Sequence, residues 1–121
     1  MTVEPLKPED VVNAKKYQIP DEVFEAFNVL IAKNFYNYSA AFTQDEAVEE
    51  ILRNLRTSDL EILKDLKDRK DTSLKRVIFD NHWLDIEEIY RKAGWKVTYD
   101  KPAYNESYDA NFDFEKKKNN D

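Results

Sequence analysis

The run Gly94-Trp95-Lys96-Val97-Thr98-Tyr99-Asp100 is followed, after a polar loop, by Ala110-Asn111-Phe112-Asp113-Phe114-Glu115. Here the period of the sequence changes from helical to two. Trp95, Val97 and Tyr99 alternate with Lys96, Thr98 and Asp100, while Ala110, Phe112 and Phe114 alternate with Asn111, Asp113 and Glu115. Successive side chains of a strand point to opposite faces, so each run has one apolar and one polar face. The loop between them contains Pro102 and Asn105, and the two runs predict an antiparallel β-hairpin. Gly94, the chain's one glycine, stands just before them, where a helix C-cap favours left-handed backbone.

Upstream of Gly94 the pattern is helical. Ile86, Ile89, Tyr90 and Ala93 form the inward face of a helix that follows Trp83-Leu84-Asp85. Leu74, Val77 and Ile78 mark a shorter helical piece, with Asp71-Thr72-Ser73 as punctuation before it. Ser58-Asp59-Leu60-Glu61 has the form of a capping box and predicts a charged helix with Leu60, Leu63 and Leu66 as its stripe. Thr43-Gln44-Asp45-Glu46 is a box of the same kind, opening a helix that buries Ala47, Val48, Ile51, Leu52 and Leu55. Tyr36 to Phe42 reads as a brief strand. Ile19-Pro20-Asp21-Glu22 starts the most strongly patterned helix, with Val23, Phe24, Phe27, Leu30, Ile31 and Phe35 on one face.

The expected fold class is therefore α+β: helix, short strand, helices, then a C-terminal β-hairpin, in a winged-helix-like order. Residues 1–18 read as a loose N-terminal arm that docks Val11, Val12 and Tyr17 on the core, residues 19–115 as one domain, and residues 116–121 as a charged tail. The expected core is Phe24, Phe27, Leu30, Ile31, Val48, Ile51, Leu52, Leu55, Ile86, Ile89, Trp95, Val97, Phe112 and Phe114.

Composition narrows the function classes. With 121 residues the chain fits one domain, and 7 Phe, 7 Tyr and 2 Trp supply enough bulk for a compact core. There is no cysteine, which excludes disulfides, thiolate metal sites and cysteine nucleophiles. One glycine excludes Gly-rich phosphate loops and strained nucleophile turns. No apolar run approaches the roughly 18 residues that cross a bilayer. Met1–Asp10 lacks a basic region followed by an apolar stretch, so no secretory signal is expected, and a cytoplasmic location is. A formal net charge of −6 argues against non-specific coating of nucleic acid or anionic membrane.

Candidate sites are few. His82 is the chain's one histidine, in the junction Asp80-Asn81-His82-Trp83, where a partly exposed ring beside a packed Trp is expected. Asp45, Glu46, Glu49 and Glu50 share one helix, as do Asp85, Glu87 and Glu88. Helix dipoles and solvated faces account for both sets, and no metal or other cofactor is expected. Lys64 to Lys70 alternates in sign like an exposed ion-paired helix. Arg91, Lys92, Lys96 and Lys101 cluster where the last helix enters the hairpin, the junction that faces DNA in a winged helix. The loop residues Tyr104, Asn105, Glu106, Ser107 and Tyr108 offer aromatic contacts of the kind enriched at protein interfaces. Either Tyr104 points outward and Tyr108 inward, or both close the end of the core.

The run Gly94-Trp95-Lys96-Val97-Thr98-Tyr99-Asp100-Lys101-Pro102-Ala103-Tyr104-Asn105-Glu106-Ser107-Tyr108 resembles a motif of small accessory proteins of tailed bacteriophages. The stretch Ile19-Pro20-Asp21-Glu22-Val23-Phe24-Glu25-Ala26-Phe27-Asn28 is similar to the opening of the same family. The resemblance covers about a quarter of the chain; it implies a viral accessory role and brings no catalytic residue. The expected function is a non-enzymatic phage accessory protein that binds a host or viral protein through Tyr104, Asn105, Glu106, Tyr108, Lys96, Lys101, Arg91 and Lys92, modulating host processes or defence. Alternatives are a winged-helix regulator binding duplex DNA, and an enzyme with a carboxylate-bound divalent metal. No membrane partner is expected.

Overall fold

The computed structural model describes residues 7–117, apart from the side chains of Glu9, Val12, Asn13, Lys15 and Tyr17. In chain order the elements are α1 (Pro8–Gln18), α2 (Asp21–Asn34), β1 (Ser39–Thr43), α3 (Gln44–Leu55), α4 (Glu61–Lys64), α5 (Asp71–Asp80), α6 (Glu87–Lys92), β2 (Trp95–Asp100) and β3 (Asn111–Lys116). The chain is an α+β domain with one three-stranded antiparallel sheet in the order β1-β3-β2. The short first strand thus flanks the terminal hairpin, as the winged-helix order requires.

The hairpin matches the faces its alternation predicts, but its pairing is shifted by two residues from runs 95–99 and 110–114 set end to end: Trp95 meets Lys116, and Ala110 lies outside β3. Val97 pairs with Phe114 and Tyr99 with Phe112, while Phe42 and Ala40 of β1 meet Phe112 and Phe114 from the other side. One sheet face is therefore aromatic, and α2 lies across it. Phe27 is fully buried, with its ring 5.0 Å from Phe112, 6.0 Å from Phe42 and 6.2 Å from Phe114. Tilted and edge-to-face pairs of this kind add to the gain from burial. Helix α3 buries its five apolar residues and packs against α2, α5 and β1, and its N-terminus carries the predicted box: the Thr43 hydroxyl accepts from the Glu46 N–H at 3.1 Å, and Glu46 Oε1 accepts from the Thr43 N–H. Of the expected core, Phe24, Ile89 and Trp95 are half-buried against it and the remainder are buried. Leu63, Leu74, Ile78, Trp83 and Tyr90 also join it.

Several boundaries differ from the sequence expectation. Residues 8–18 form a helix, not a loose arm. Pro8 sits at its first position, and the Asp10 carboxylate accepts from the Lys7 N–H. It stops at Gln18 because Ile19 precedes Pro20 and is driven to extended backbone (φ −97°, ψ 125°). Val11 is exposed rather than docked, and the expectation for Val12 and Tyr17 lies outside the described residues. The Ser58 box does not form. Ser58 Oγ instead donates to Glu22 and accepts from the Leu60 N–H, and α4 lasts four residues with Leu63 as its buried anchor. Asp71-Thr72-Ser73 is the first turn of α5, fixed by Asp68 Oδ1, which accepts from the Lys70 N–H and from Ser73 Oγ. Ala93 is exposed, and Lys116 belongs to β3, not to a tail. Residues 1–6 and 118–121 of the expected arm and tail lie outside the described residues.

Among the described residues, left-handed backbone occurs at three residues other than glycine, and each ends or turns an element. Asn37 (φ 56°) and Tyr38 (φ 69°) form a tight turn that delays β1 to Ser39. His82 (φ 56°) ends α5: its N–H donates to Phe79 O and the Trp83 N–H to Ile78 O, the paired bonds of a Schellman cap. Gly94 (φ 113°) ends α6 as expected.

Candidate functional site

Residues Lys101 to Ala110 connect β2 to β3, and their two ends are tied down. The Tyr108 hydroxyl lies 2.8 Å from both Asp100 Oδ1 and the Lys101 carbonyl. The Ala110 carbonyl accepts from the Gln44 N–H at the start of α3 (2.8 Å), and the Glu106 N–H donates to Ala103 O within the loop (3.0 Å). At the tip Tyr104 is wholly exposed, with Asn105 and Glu106 exposed beside it. Tyr108 is 40% exposed, because its hydroxyl is folded back. Donation to Asp100, then partial burial and the charges of Asp100 and Glu106, raise its phenol above the usual value.

Under the loop's base lies a cleft of about 220 Å³ whose walls include Gln44, Phe79, His82, Asp85, Tyr99 and Lys101. Tyr99 stacks on Phe112 at 4.0 Å and donates its hydroxyl to Gln44 Oε1. Burial, and then the negative charges of Glu87 and Asp85, push its phenol up to about 12. Lys101 Nζ sits 4.9 Å from the centre of the Tyr99 ring, so this cation covers an aromatic face.

The structure brings Tyr104, Asn105, Glu106, Tyr108 and Lys101 onto one loop. It separates them from the remaining predicted residues. Lys96 is exposed near the far end of β2, opposite Glu115, and five residues of extended strand put it about 17 Å from Lys101. Arg91 Nη2 donates to Val97 O at 2.9 Å, and Lys92 is exposed in the last turn of α6. The four cations do not form one patch.

The other candidates have local roles. Glu46 caps α3, Glu50 faces Arg53 at 3.5 Å, and His82 is exposed beside buried Trp83. Among the described residues no group of three His, Cys, Asp or Glu is placed to hold a metal, and no helix is long and apolar enough to cross a membrane. Arg69, read from sequence as part of a solvated helix, is instead half-buried, donating to Leu55 O at 3.1 Å and Ser58 O at 2.6 Å. Phe35, expected on the apolar face of α2, lies just past its end and is half-exposed, and the exposed Tyr36 and Tyr38 stand in what reads as a strand. Their signal was Asn37, a residue that tolerates left-handed backbone, set between two tyrosines.

No family model, no curated protein and no solved structure matches the chain.

Proposed function

We propose that the chain is a non-enzymatic binding protein that engages a protein partner through Tyr104 at the tip of its hairpin loop. One observation carries this reading: Tyr104 is wholly exposed on a loop whose base is tied by Tyr108 and Gln44. A large ring with a polar tip, held in water by a tethered segment, loses little freedom on docking and gains a large buried area. Asn105 and Glu106 supply polar contacts at its rim. The likeness of Gly94–Tyr108 and Ile19–Asn28 to phage accessory proteins supports a viral setting, with the partner a host or phage protein in the cytoplasm of an infected cell.

The test is affinity capture from infected host cells with wild-type protein and with the Tyr104→Ala, Asn105→Ala double variant. A partner retained by the first and lost by the second, with equal melting temperatures, is the expected result. Retention by both would move the site away from the loop.

A further inference from the structure

At the pole opposite the loop, Asn37 and Tyr38 take left-handed backbone in a two-residue turn, with Tyr36 N–H donating to Ser39 O (2.8 Å) and Ser39 N–H to Tyr36 O (3.2 Å). For tyrosine this conformation is unfavourable, and such outliers persist where something else depends on them. The turn holds Tyr36 82% and Tyr38 66% exposed, next in sequence to half-exposed Phe35. Next to them a groove of about 340 Å³ runs between α2 and β2, lined by Asn28, Ile31, Ala32, Phe35 and Trp95. Phe35 and Trp95 meet edge to face at 5.9 Å and form one wall.

The segments that build this pole are basic in an acidic chain. The last turns of α2 and α6, the start of β2 and the end of β3 carry Lys33, Arg91, Lys92, Lys96 and Lys116, with Lys117 just after β3, against the carboxylate of Glu115. The chain as a whole has a net charge of −6. Arg91 donates to Val97 O and Lys117 to Arg91 O (3.0 Å), which fixes both cations at this end.

We propose that this groove is a second docking surface, and that its occupant is an acidic segment of another protein carrying a bulky apolar side chain. The apolar walls take the side chain, and the net positive charge of this end of the molecule draws the carboxylates to it. A second copy of the chain fits poorly, because a two-fold contact would set this cationic face against itself. Single-stranded nucleic acid fits less well too: stacking successive bases needs a row of open rings, whereas Tyr36 is widely exposed but Lys116 Nζ lies over the Tyr38 ring at 5.9 Å and Trp95 is half-buried.

The test uses a labelled peptide of about twelve residues with Phe and Leu four apart among Asp and Glu. Its controls are the same peptide with Asn and Gln for the acids, with Ala for Phe and Leu, and an oligothymidylate. Binding is read by anisotropy and by the fluorescence of groove-lining Trp95. Expected are binding of the acidic apolar peptide, weakening by at least about tenfold for either peptide control, and a similar loss on Ala32→Lys. That substitution fills the groove while adding positive charge, so the loss reports the groove and not the field. Melting temperature checks the fold. Tyr104→Ala should leave this binding unchanged, which keeps the loop and the groove separately testable. No binding below about 1 mM, equal binding of the uncharged peptide, or indifference to Ala32→Lys overturns the proposal. So does tighter binding of the oligothymidylate, or a dimer in sedimentation that Ala32→Lys dissociates.

Discussion

The phenol of Tyr108 closes the hairpin loop on the carboxylate of Asp100, with Oη 2.8 Å from Oδ1. The same oxygen reaches the Lys101 carbonyl, so one side chain restrains both a charge and a backbone group at the loop's start. Tyr108→Phe removes this restraint and keeps the ring. Because the bonds are exposed, the loss of stability should be small. Hydrogen exchange of the amides from Ala103 to Asp109 should accelerate while the melting temperature barely moves. Unchanged exchange would mean that Ala110 and Gln44 alone hold the loop.

Gly94 and His82 separate space from backbone strain. A Cβ added at Gly94 would meet nothing within 4 Å, so Gly94→Ala carries only the cost of left-handed backbone, about 1–2 kcal/mol. His82 already bears that cost at φ 56° in a cap that usually holds glycine. His82→Gly should therefore stabilise by up to about 1 kcal/mol, less whatever the unfolded chain gains in freedom. Urea denaturation of the two variants reads both signs. A destabilised His82→Gly would show that the imidazole holds the wall of the cleft beside Asp85 and Tyr99.

Phe27 and Val29 lie two residues apart on α2 and should behave oppositely. Phe27 is fully buried among Phe42, Phe112 and Phe114, so Phe27→Ala should cost about 3–5 kcal/mol and bring a domain of this size close to unfolding. Val29 is 50% exposed, and Val29→Ala should stay within about 0.5 kcal/mol of wild type. Equal effects in denaturant titrations would mean that α2 presents a different face to the sheet.

Alkaline pH should unfold the protein through its buried phenols. Burial raises Tyr90, whose hydroxyl donates to Asn28 Oδ1 at 2.7 Å, and Tyr99 is pushed up to about 12. The neutral form is favoured in the fold, so this stability is complete below the unfolded value of about 10 and is lost as pH rises through the folded values. Melting temperature should therefore hold to about pH 10 and then fall steeply, with late phenolate absorbance appearing together with unfolding. Tyr99→Phe should make the fall shallower; an unaltered slope would assign the alkaline limit to Tyr90.

What the sequence made legible was local and periodic. Thr43 and Glu46 are three residues apart and satisfy each other, so their box needs no distant partner. The alternation of Trp95, Val97 and Tyr99 against Phe112 and Phe114 likewise shows which faces of the hairpin meet, while the register itself is open in steps of two and depends on the loop. Helix α1 was missed because its apolar residues do not recur at helical spacing, and its limits come from Pro8 and Pro20 instead. Ser58 was misread for a different reason: Glu22, 36 residues away, takes its hydroxyl. Arg69 reaches back in the same way to carbonyls at the end of α3. At the candidate site, Tyr104 and Tyr108 were both visible, but which one turns back depends on Asp100 and Lys101. The aromatic pole depends on Trp95 meeting Phe35 across 60 residues, and no spacing reveals that.

The separation of Lys101 from Lys96 decides between a partner held at the loop and one held along the hairpin. Lys101 is on the loop, over the Tyr99 ring, whereas Lys96 stands about 17 Å away beside Glu115. For a protein partner docked on Tyr104, Lys101→Glu should slow association and alter its salt dependence, with dissociation little changed, because a rim charge steers encounter more than it holds the complex. Lys96→Glu lies more than a Debye length from the loop at physiological salt, about 8 Å, and should leave both rates alone. Stopped-flow or surface-binding kinetics with the captured partner measures all four effects. Equal slowing by both substitutions, steepening at low salt, would mean that the partner spans the hairpin as a duplex phosphate backbone would, since counterion release counts every lysine it covers. Slowing by Lys96→Glu alone would place the partner on the aromatic pole.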